Sequence, residues 1–231
     1  MGQKIHPLGF RVGITEGWTS RWFAPKKIFG DLLVEDQKIR AFIDEKLNRQ
    51  APFAGIAKVE IERTREELRV VLHSSRPGTV IGPKGADADK LRDALETLTG
   101  RKVKIEVSEV ANPDLNAQLI AENIGEQLKK RVSFRRAVRQ KLDAAMSAGA
   151  KGVKIQLAGR IGGAEIARTE KFLLGSIPLQ TLQADVNYGL NHCRTPYGVL
   201  GIKVWVYRGL YSETENLDNT RKSGPRRPRR R

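Results

Sequence analysis

Cysteine is almost missing from this chain: Cys193 stands alone. One thiol closes no internal disulfide and builds no zinc site by itself, which suits a reducing compartment. Long apolar runs are missing too. No stretch approaches the roughly 18 residues that a membrane-spanning helix needs. The opening MGQKIHPLGF has no apolar leader core, and His6 stands where a myristoylation signal wants Ser or Thr. The expectation is a soluble, untargeted protein with no membrane partner. Phosphate-loop (GxxxxGKS or GxxxxGKT), GxSxG and HExxH motifs are all absent, which removes the sequence support for a nucleotide-driven motor, an esterase-type hydrolase or a zinc protease. His6, His73 and His192 are far apart, and His192 and Cys193 would point to opposite faces of a strand. No catalytic residue, metal or cofactor is expected.

Acid is the other shortage. Lys and Arg total 42 against 26 Asp and Glu, a formal net charge of +16, while 39% of the residues are hydrophobic. That is enough apolar content for a core, and the positive balance points to a polyanion, nucleic acid first. The charge is concentrated. Residues 129–141, KKRVSFRRAVRQK, and 221–231, RKSGPRRPRRR, each hold 7 basic residues and no acid, so 24 positions supply 14 of the 16 net charges. Lys4, Arg11, Arg21, Lys26 and Lys27 against Glu16 give the first 30 residues a net charge of +4. The rest is close to neutral. Clustered cations of this kind release counterions from phosphate.

Periodicity divides the chain into a basic arm over 1–30, a first domain over 31–110, a second over 111–211 and a tail over 212–231. The arm is Gly- and Pro-rich and reads as irregular. Within it, Trp18, Trp22 and Phe23 interleave with Arg21, Lys26 and Lys27, which suits unpaired bases and phosphates or, equally, anchoring of the arm on the protein's own core. A helix is expected over 31–49, with Asp31 as cap and Phe42, Ile43 and Leu47 inward. Ala57, Val59 and Ile61 alternate as a strand, followed by Leu68, Val70 and Leu72. Leu91, Ala94, Leu95 and Leu98 form a helical stripe ending at Gly100, and Val103, Ile105 and Val107 make a third strand.

Residues 114–148 read as two helices with a bend near Ser133, a possible N-cap. Stripes of Leu115, Leu119, Ile120, Ile124 and Leu128, then Phe134, Val138, Leu142 and Ala145, face inward. At about 100° per residue, Arg135, Arg136 and Arg139 share the flank beside the second stripe. Beyond residue 153 the pattern is β, with Val153, Ile155 and Leu157, then Leu182, Ala184, Val186 and Tyr188, then Ile202, Val204 and Val206 alternating. The fold class is α+β: two domains, the second with a mainly antiparallel sheet. The purely basic tail is expected to be disordered when free.

The loop VIGPKG, with Gly82-Pro83-Lys84-Gly85, is the sharpest motif. Two glycines let backbone lie close to a sugar-phosphate chain, Lys84 adds a charge, and a helix start follows. Between paired strands this is the layout of a KH domain gripping single-stranded nucleic acid; the alternative is a tight turn. Pro83 removes one N–H donor. GRIGGAE, between strands, reads as a hairpin turn, with Arg160 and Arg168 as possible phosphate contacts.

In order from residue 1 to about 211, MGQKIHPLGFRVG, RPGTVIGPKG, FRRAV and GRIGGAEIART followed by YGVLGIKVWVY resemble the ribosomal protein S3 family of bacterial type, the universal KH-domain proteins of the small subunit. The resemblance implies a type II KH domain, a C-terminal α+β domain and no enzymatic activity. It implies a cytoplasmic place on the head of the small ribosomal subunit, bound to its (16S) ribosomal RNA, with small-subunit proteins ten and fourteen as neighbours and four and five completing the messenger entrance. Lys4, His6, Arg11, Arg21, Lys26, Lys27, Arg160 and Arg168 are the expected ribosomal RNA contacts, and Gly82 to Gly85 the KH loop contacts. The family's messenger-facing basic residues match Arg131, Arg135, Arg136 and Arg139, preceded by Lys129 and Lys130. The tail lies beyond the shared body.

Overall fold

The computed structural model describes residues 3–49, 53–64 and 67–211, Lys84 by its backbone. The basic tail expected over 212–231 lies outside the described residues. Trp18–Pro113 forms one compact unit, and the described parts of Met1–Gly17 and Asp114–Arg231 form the other.

The first unit runs β1 (Ser20–Arg21), α2 (Lys26–Ile43, following α1 at Pro7–Arg11 in the other unit), β2 (Ile56–Arg63), β3 (Glu67–Ser74), α3 (Pro77–Ile81), α4 (Ala86–Thr99) and β4 (Lys102–Glu109). Its sheet has the order β1-β2-β3-β4, with β2 and β3 antiparallel and β4 parallel to β3. From α2 onward this is the helix, strand, strand, helix, helix, strand order expected of a type II KH domain. Helix α2 starts at Lys26, after Pro25, and not at residue 31; Asp31 is exposed inside the helix and caps nothing. Pro25, at φ −59°, is pre-set for a helix start. Leu32, Asp36, Ile39 and Ile43 recur at helical spacing and are buried. Ile39 and Ile43 join Ile56, Ile61, Leu68, Val70, Leu72, Leu91, Leu95 and Val103 in the core. A register shift between Ile56 and Lys58 breaks the expected Ala57 alternation, so Ile56 is buried and Ala57 only partly.

The other face of this sheet is covered by charge pairs. Glu62 receives Arg21 at 3.7 Å and Arg69 at 3.0 Å; Arg69 also reaches Glu106, which meets Lys104 at 3.3 Å. Glu60 meets Lys58 at 2.8 Å. Burial alone would raise the Glu60 carboxyl, but the Lys58 hydrogen bond and the charges of Lys58, His73 and Arg21 outweigh it and hold the pKa below the usual range. A buried network ties β1's neighbour Trp22 to α2: Trp22 Nε1 donates to Asp36 Oδ2 at 2.8 Å, and Arg63 Nε donates to Asp36 Oδ1 at 2.9 Å. Arg63 Nη1 lies 2.9 Å from Glu35 Oε1, and the Arg63 side chain is 4% exposed. Replacing Asp36 with Ala would leave the buried guanidinium with Glu35 alone and the Trp22 indole N–H without its acceptor. Denaturant unfolding of the full chain is expected to show a loss of about 3–5 kcal/mol, and a loss within experimental scatter would contradict this account.

The second unit comprises α1, α5 (Ala117–Lys129), α6 (Phe134–Ser147), β5 (Gly152–Gly159), β6 (Arg168–Gly175), β7 (Ala184–Thr195) and β8 (Gly198–Leu210). Its sheet is wholly antiparallel, in the order β6-β5-β8-β7. Helices α5 and α6 cover one face: Ile120, Ile124, Val138, Leu142 and Ala145 pack on Val153, Ile155, Leu157, Ile202, Val204 and Val206. GRIGGAE is the turn between β5 and β6, built on a short 3-10 segment over Ile161–Gly163.

The arm read over 1–30 as one irregular segment is instead divided between the units and carries α1 and β1. One cause is Arg11, which is 1% exposed. Its guanidinium donates to the carbonyls of Ala184 at 2.9 Å, Pro7 at 3.0 Å, Leu179 at 3.1 Å, Thr181 at 2.9 Å and Pro178 at 3.3 Å. The other is Trp22, whose indole is held by Asp36.

Close approach of α5 to β7 depends on two glycines. A Cβ at Gly189 would lie 2.5 Å from Gln118 N, and one at Gly125 would lie 2.7 Å from Asn191 Nδ2. The first obstacle is backbone, which cannot swing aside. Gly189→Ala is expected to lower the unfolding free energy by about 1–3 kcal/mol, read as a shift in the thermal midpoint; an unchanged midpoint would refute it.

Candidate nucleic-acid interface

The corner between α5 and α6 concentrates unpaired positive charge. Helix α5 ends in a Schellman arrangement: Val132 N–H donates to Gln127 O at 3.1 Å and Arg131 N–H to Leu128 O at 3.0 Å. Arg131 takes the left-handed position, φ 60°, where glycine is usual; among the described residues no other non-glycine residue has positive φ. Lys129 and Lys130 sit favourably at a helix C-terminus. Arg135 and Arg136 sit unfavourably in the first turn of α6, which contains no acid. Ser133 occupies the expected N-cap place, but its side chain makes no capping bond.

Lys129, Lys130, Arg131, Arg135, Arg136 and Arg139 are all exposed. Among the described residues no carboxylate forms an ion pair with any of them, whereas Lys141, at the end of the run, meets Asp114 at 3.2 Å. The expected flank is present: Ala137, Val138, Leu142 and Ala145 are buried, and the three arginines face solvent beside them. A helix that begins with cations, uncapped and without acids, is electrostatically costly to the free protein. An approaching phosphate chain relieves that cost.

The Gly82–Gly85 loop lies between α3 and α4. Gly82 has φ 70° and Gly85 φ 84°, both left-handed. At Gly82 a Cβ would lie 2.8 Å from Asp87 Cβ, so this glycine also makes room for the first turn of α4. The loop's backbone is largely occupied with itself. Gly82 N–H donates to Gly78 O at 2.9 Å, Gly85 N–H reaches Gly82 O at 3.4 Å, Ala86 N–H turns back to Pro83 O, and Pro83 has no N–H. Asp87 and Asp89 stand in the first turn of α4, paired with Lys90 at 3.3 Å and Arg92 at 3.0 Å. Few donors are left to a phosphate here, and the helix dipole is partly satisfied by acids.

The remaining expected contacts separate into free and engaged groups. Lys4 is exposed, as are Lys26 and Lys27 in the first turn of α2. His6 is exposed, accepts from Gly9 N–H at 3.2 Å through Nδ1, and packs edge-on against Tyr188 with centroids 4.8 Å apart. Arg11 is a correction. It is buried and its donors are spent on five carbonyls; desolvation lowers its pKa, opposed by the charges of Asp185 and Glu16. It organises the fold and is closed off from the surface. Arg160 donates to Ala164 O at 2.8 Å and Tyr197 O at 3.2 Å, stapling the glycine turn to the tip of the β7–β8 hairpin. Arg21 is paired with Glu62, and Arg168 with Glu170 at 3.1 Å. Of the arm aromatics, Trp22 is an anchor, while Trp18 is 67% and Phe23 96% exposed.

A KH-type unit with a GxxG turn, joined to a helix-covered antiparallel sheet whose helix corner carries cations uncompensated among the described residues, defines a nucleic-acid-binding protein. Residues 38–115 match the KH domain family, and residues 124–206 the family described as "Ribosomal protein S3, C-terminal domain". The "Small ribosomal subunit protein uS3" of Rhodopirellula baltica is 53% identical over 214 residues, 92% of this chain and 91% of that protein. Its counterpart in Persephonella marina is 52% identical over 210 residues, 90% of this chain and 91% of that one. The Magnetococcus marinus counterpart is 46% identical over 213 residues, covering 92% and 99%. The chain belongs to the ribosomal protein uS3 family, a family of structural ribosomal proteins and not of enzymes.

Arg131 offers a direct separation of charge from stability. Glycine at the same place relieves a left-handed side chain, a cost of about 1–2 kcal/mol. Arg131→Gly is therefore expected to unfold at equal or higher denaturant concentration while binding single-stranded RNA more weakly. Lower stability together with unchanged RNA affinity would show that the side chain serves the fold instead.

Proposed function

We propose that this protein is a structural constituent of the small ribosomal subunit in the cytoplasm, binding small-subunit ribosomal RNA and lining the messenger entrance with its α5–α6 corner. The observation that carries this is the set of exposed cations at 129–139 without acidic partners among the described residues, of which Arg135, Arg136 and Arg139 stand on a helix anchored by Ala137, Val138 and Leu142. Each of Arg131, Arg135, Arg136 and Arg139 acts as a fixed positive charge along the path of the strand. Phosphates that arrive give up their condensed counterions to these side chains, and the strand is held in single-stranded form. No bond is made or broken. The translocating ribosome supplies the pulling work, and the arginines bias a hairpin toward its melted state by capturing each released strand.

Elsewhere, Lys4, His6, Lys26 and Lys27 provide free ribosomal RNA contacts, and the KH loop at Gly82–Gly85 offers a close approach of backbone rather than a donor-rich phosphate nest. Protein neighbours suit a different surface. Phe23, Phe29, Leu33 and Val34, at and near the start of α2, are exposed apolar side chains, which fit small-subunit proteins better than phosphate. Proteins ten, fourteen, four and five are the proposed neighbours.

The test is a triple substitution, R135A/R136A/R139A, assembled into subunits. These side chains are exposed, so subunit assembly and the unfolding midpoint are expected to hold. Elongation through a messenger hairpin is expected to slow, with unstructured messenger unaffected. The salt dependence of single-strand binding by the free chain is expected to fall by about 2 in log–log slope, at roughly 0.7 per phosphate contact. Normal hairpin transit by the assembled variant would overturn the entrance role.

A further inference from the structure

The second sheet has one face covered by α5 and α6; the other, among the described residues, is bordered by helix only at β7, where His6 at the start of α1 packs on Tyr188. Strand register identifies what stands on this second face. Lys154 is opposite Leu173 and Trp205, Gln156 opposite Lys171 and Lys203, Tyr188 opposite Trp205, and Leu190 opposite Lys203. Further along β7, His192 and Arg194 continue the same face. Among the described residues, no Asp or Glu occupies a strand position on it; Glu170, the acid of β6, pairs in register with Leu157 and belongs to the helix-covered side. One end of the face is closed by residues around Ile177 and Leu179, which pack on Val186 and Tyr207. The rest is open: Lys171, Lys203, His192 and Arg194 are exposed, and Lys154 is half-buried.

The charged groups of the open part are all of one sign, with the exposed apolar side chains Leu173, Leu190 and Val199 among them. Gln156 lies between Lys203 and Lys171 on three neighbouring strands, and Lys154 is two residues along. From the usual strand spacing, the three lysines form a triangle with Cα edges of about 8–10 Å. Lys154 Nζ sits 5.0 Å from the centroid of Trp205. Trp205 packs against Tyr188 at 5.4 Å, and Tyr188 against His6 at 4.8 Å, so a row of rings borders the lysines. Desolvation, then the charges of Lys4 and Lys171, lower the Lys154 pKa. The cations crowd one another, and among the described residues no acid on the face neutralises them. An ordinary solvent-exposed sheet face mixes signs, as the first unit's sheet does with Arg69, Glu62 and Glu106.

We propose that this second face, through Lys154, Lys171 and Lys203 beside the Trp205–Tyr188–His6 row, is a second RNA-binding surface that holds an RNA strand by its phosphates. It rests on the reading of the chain as a ribosomal RNA-binding protein, and it adds a site distinct from the α5–α6 corner. The two lie on opposite layers of one unit, so that unit grips two RNA segments at once. The ring row favours RNA over an acidic protein partner, because flat faces beside cations suit bases next to phosphates.

The test uses the full chain and a fluorescein-labelled, unstructured oligoribonucleotide. In K154M/K171M/K203M, each methionine keeps an aliphatic stem but removes the charge. Affinity is expected to drop about tenfold or more, with a log–log salt slope reduced by about 2. Ultraviolet crosslinks to the peptides containing Tyr188 and Trp205 are expected to disappear, while those to α6 remain. The double variant K171E/K203E, at two exposed positions, must weaken binding in the same direction and covers the case in which the change at Lys154 disturbs packing. Unchanged affinity in both variants, or an absence of crosslinks on β5, β7 and β8 in the unsubstituted chain, would overturn the proposal, as would capture of an acidic polypeptide with no RNA crosslink there. The entrance role stands or falls separately. Normal hairpin transit in R135A/R136A/R139A with sheet crosslinks intact sinks the entrance and leaves the sheet site. Slow transit with no sheet crosslinks does the reverse.

Discussion

Placement of the carboxylates governs how this molecule works. The acids of the first unit are drawn into pairs with Arg21, Lys58, Arg63, Arg69, Lys90, Arg92 and Lys104. In the second unit Lys141, Arg168 and Arg208 have partners, while the cations from 129 to 139 have none among the described residues. Net charge alone would not produce a docking surface, since the same excess spread among acids would be screened within about one Debye length. Segregation does, because an unpaired cation is free to displace the counterions condensed on a polyanion.

That segregation works against local stability. Helix α6 begins with Arg135 and Arg136 at the positive end of its dipole, and the preceding turn places Arg131 where a glycine would be comfortable. Ample packing elsewhere tolerates these choices: the stripe from Ala137 to Ala145 is fully engaged with the sheet. Each departure from good helix design coincides with a solvent-facing positive charge. The KH loop shows the opposite balance, with its glycines, its inward N–H groups and the neighbouring Asp87 all serving a stable turn.

Much of the architecture was readable from the residues, because the apolar periods are strong. The stripes at Ile120 and Ile124, at Val138 and Leu142, and at Ile202, Val204 and Val206 are in the core where alternation placed them. The arginine flank of α6 followed from the same geometry. Arg11 was not readable. A basic residue in a glycine-rich arm looks free, and only the chain's return near Ala184 supplies the carbonyls that bury it. The start of α2 was obscured because its first turns expose Ile28, Phe29, Leu33 and Val34, which spoils the amphipathic signal. The meeting of residues 154, 171 and 203 depends on β8 pairing with β5, so that β5 lies between β6 and β8, an order that no local pattern specifies.

The embrace of Arg11 by the loop before β7 also bears on how the chain acquires its shape as it is made. The guanidinium and the Ala184 carbonyl are separated by 173 positions, so the leading peptide emerges early and has nowhere to go until nearly the whole polypeptide is out. The first unit, contained within Trp18–Pro113, has all of its own partners long before that. Arg11 and its neighbours, made before the first unit, are therefore fastened after it, and their docking accompanies completion of the second unit.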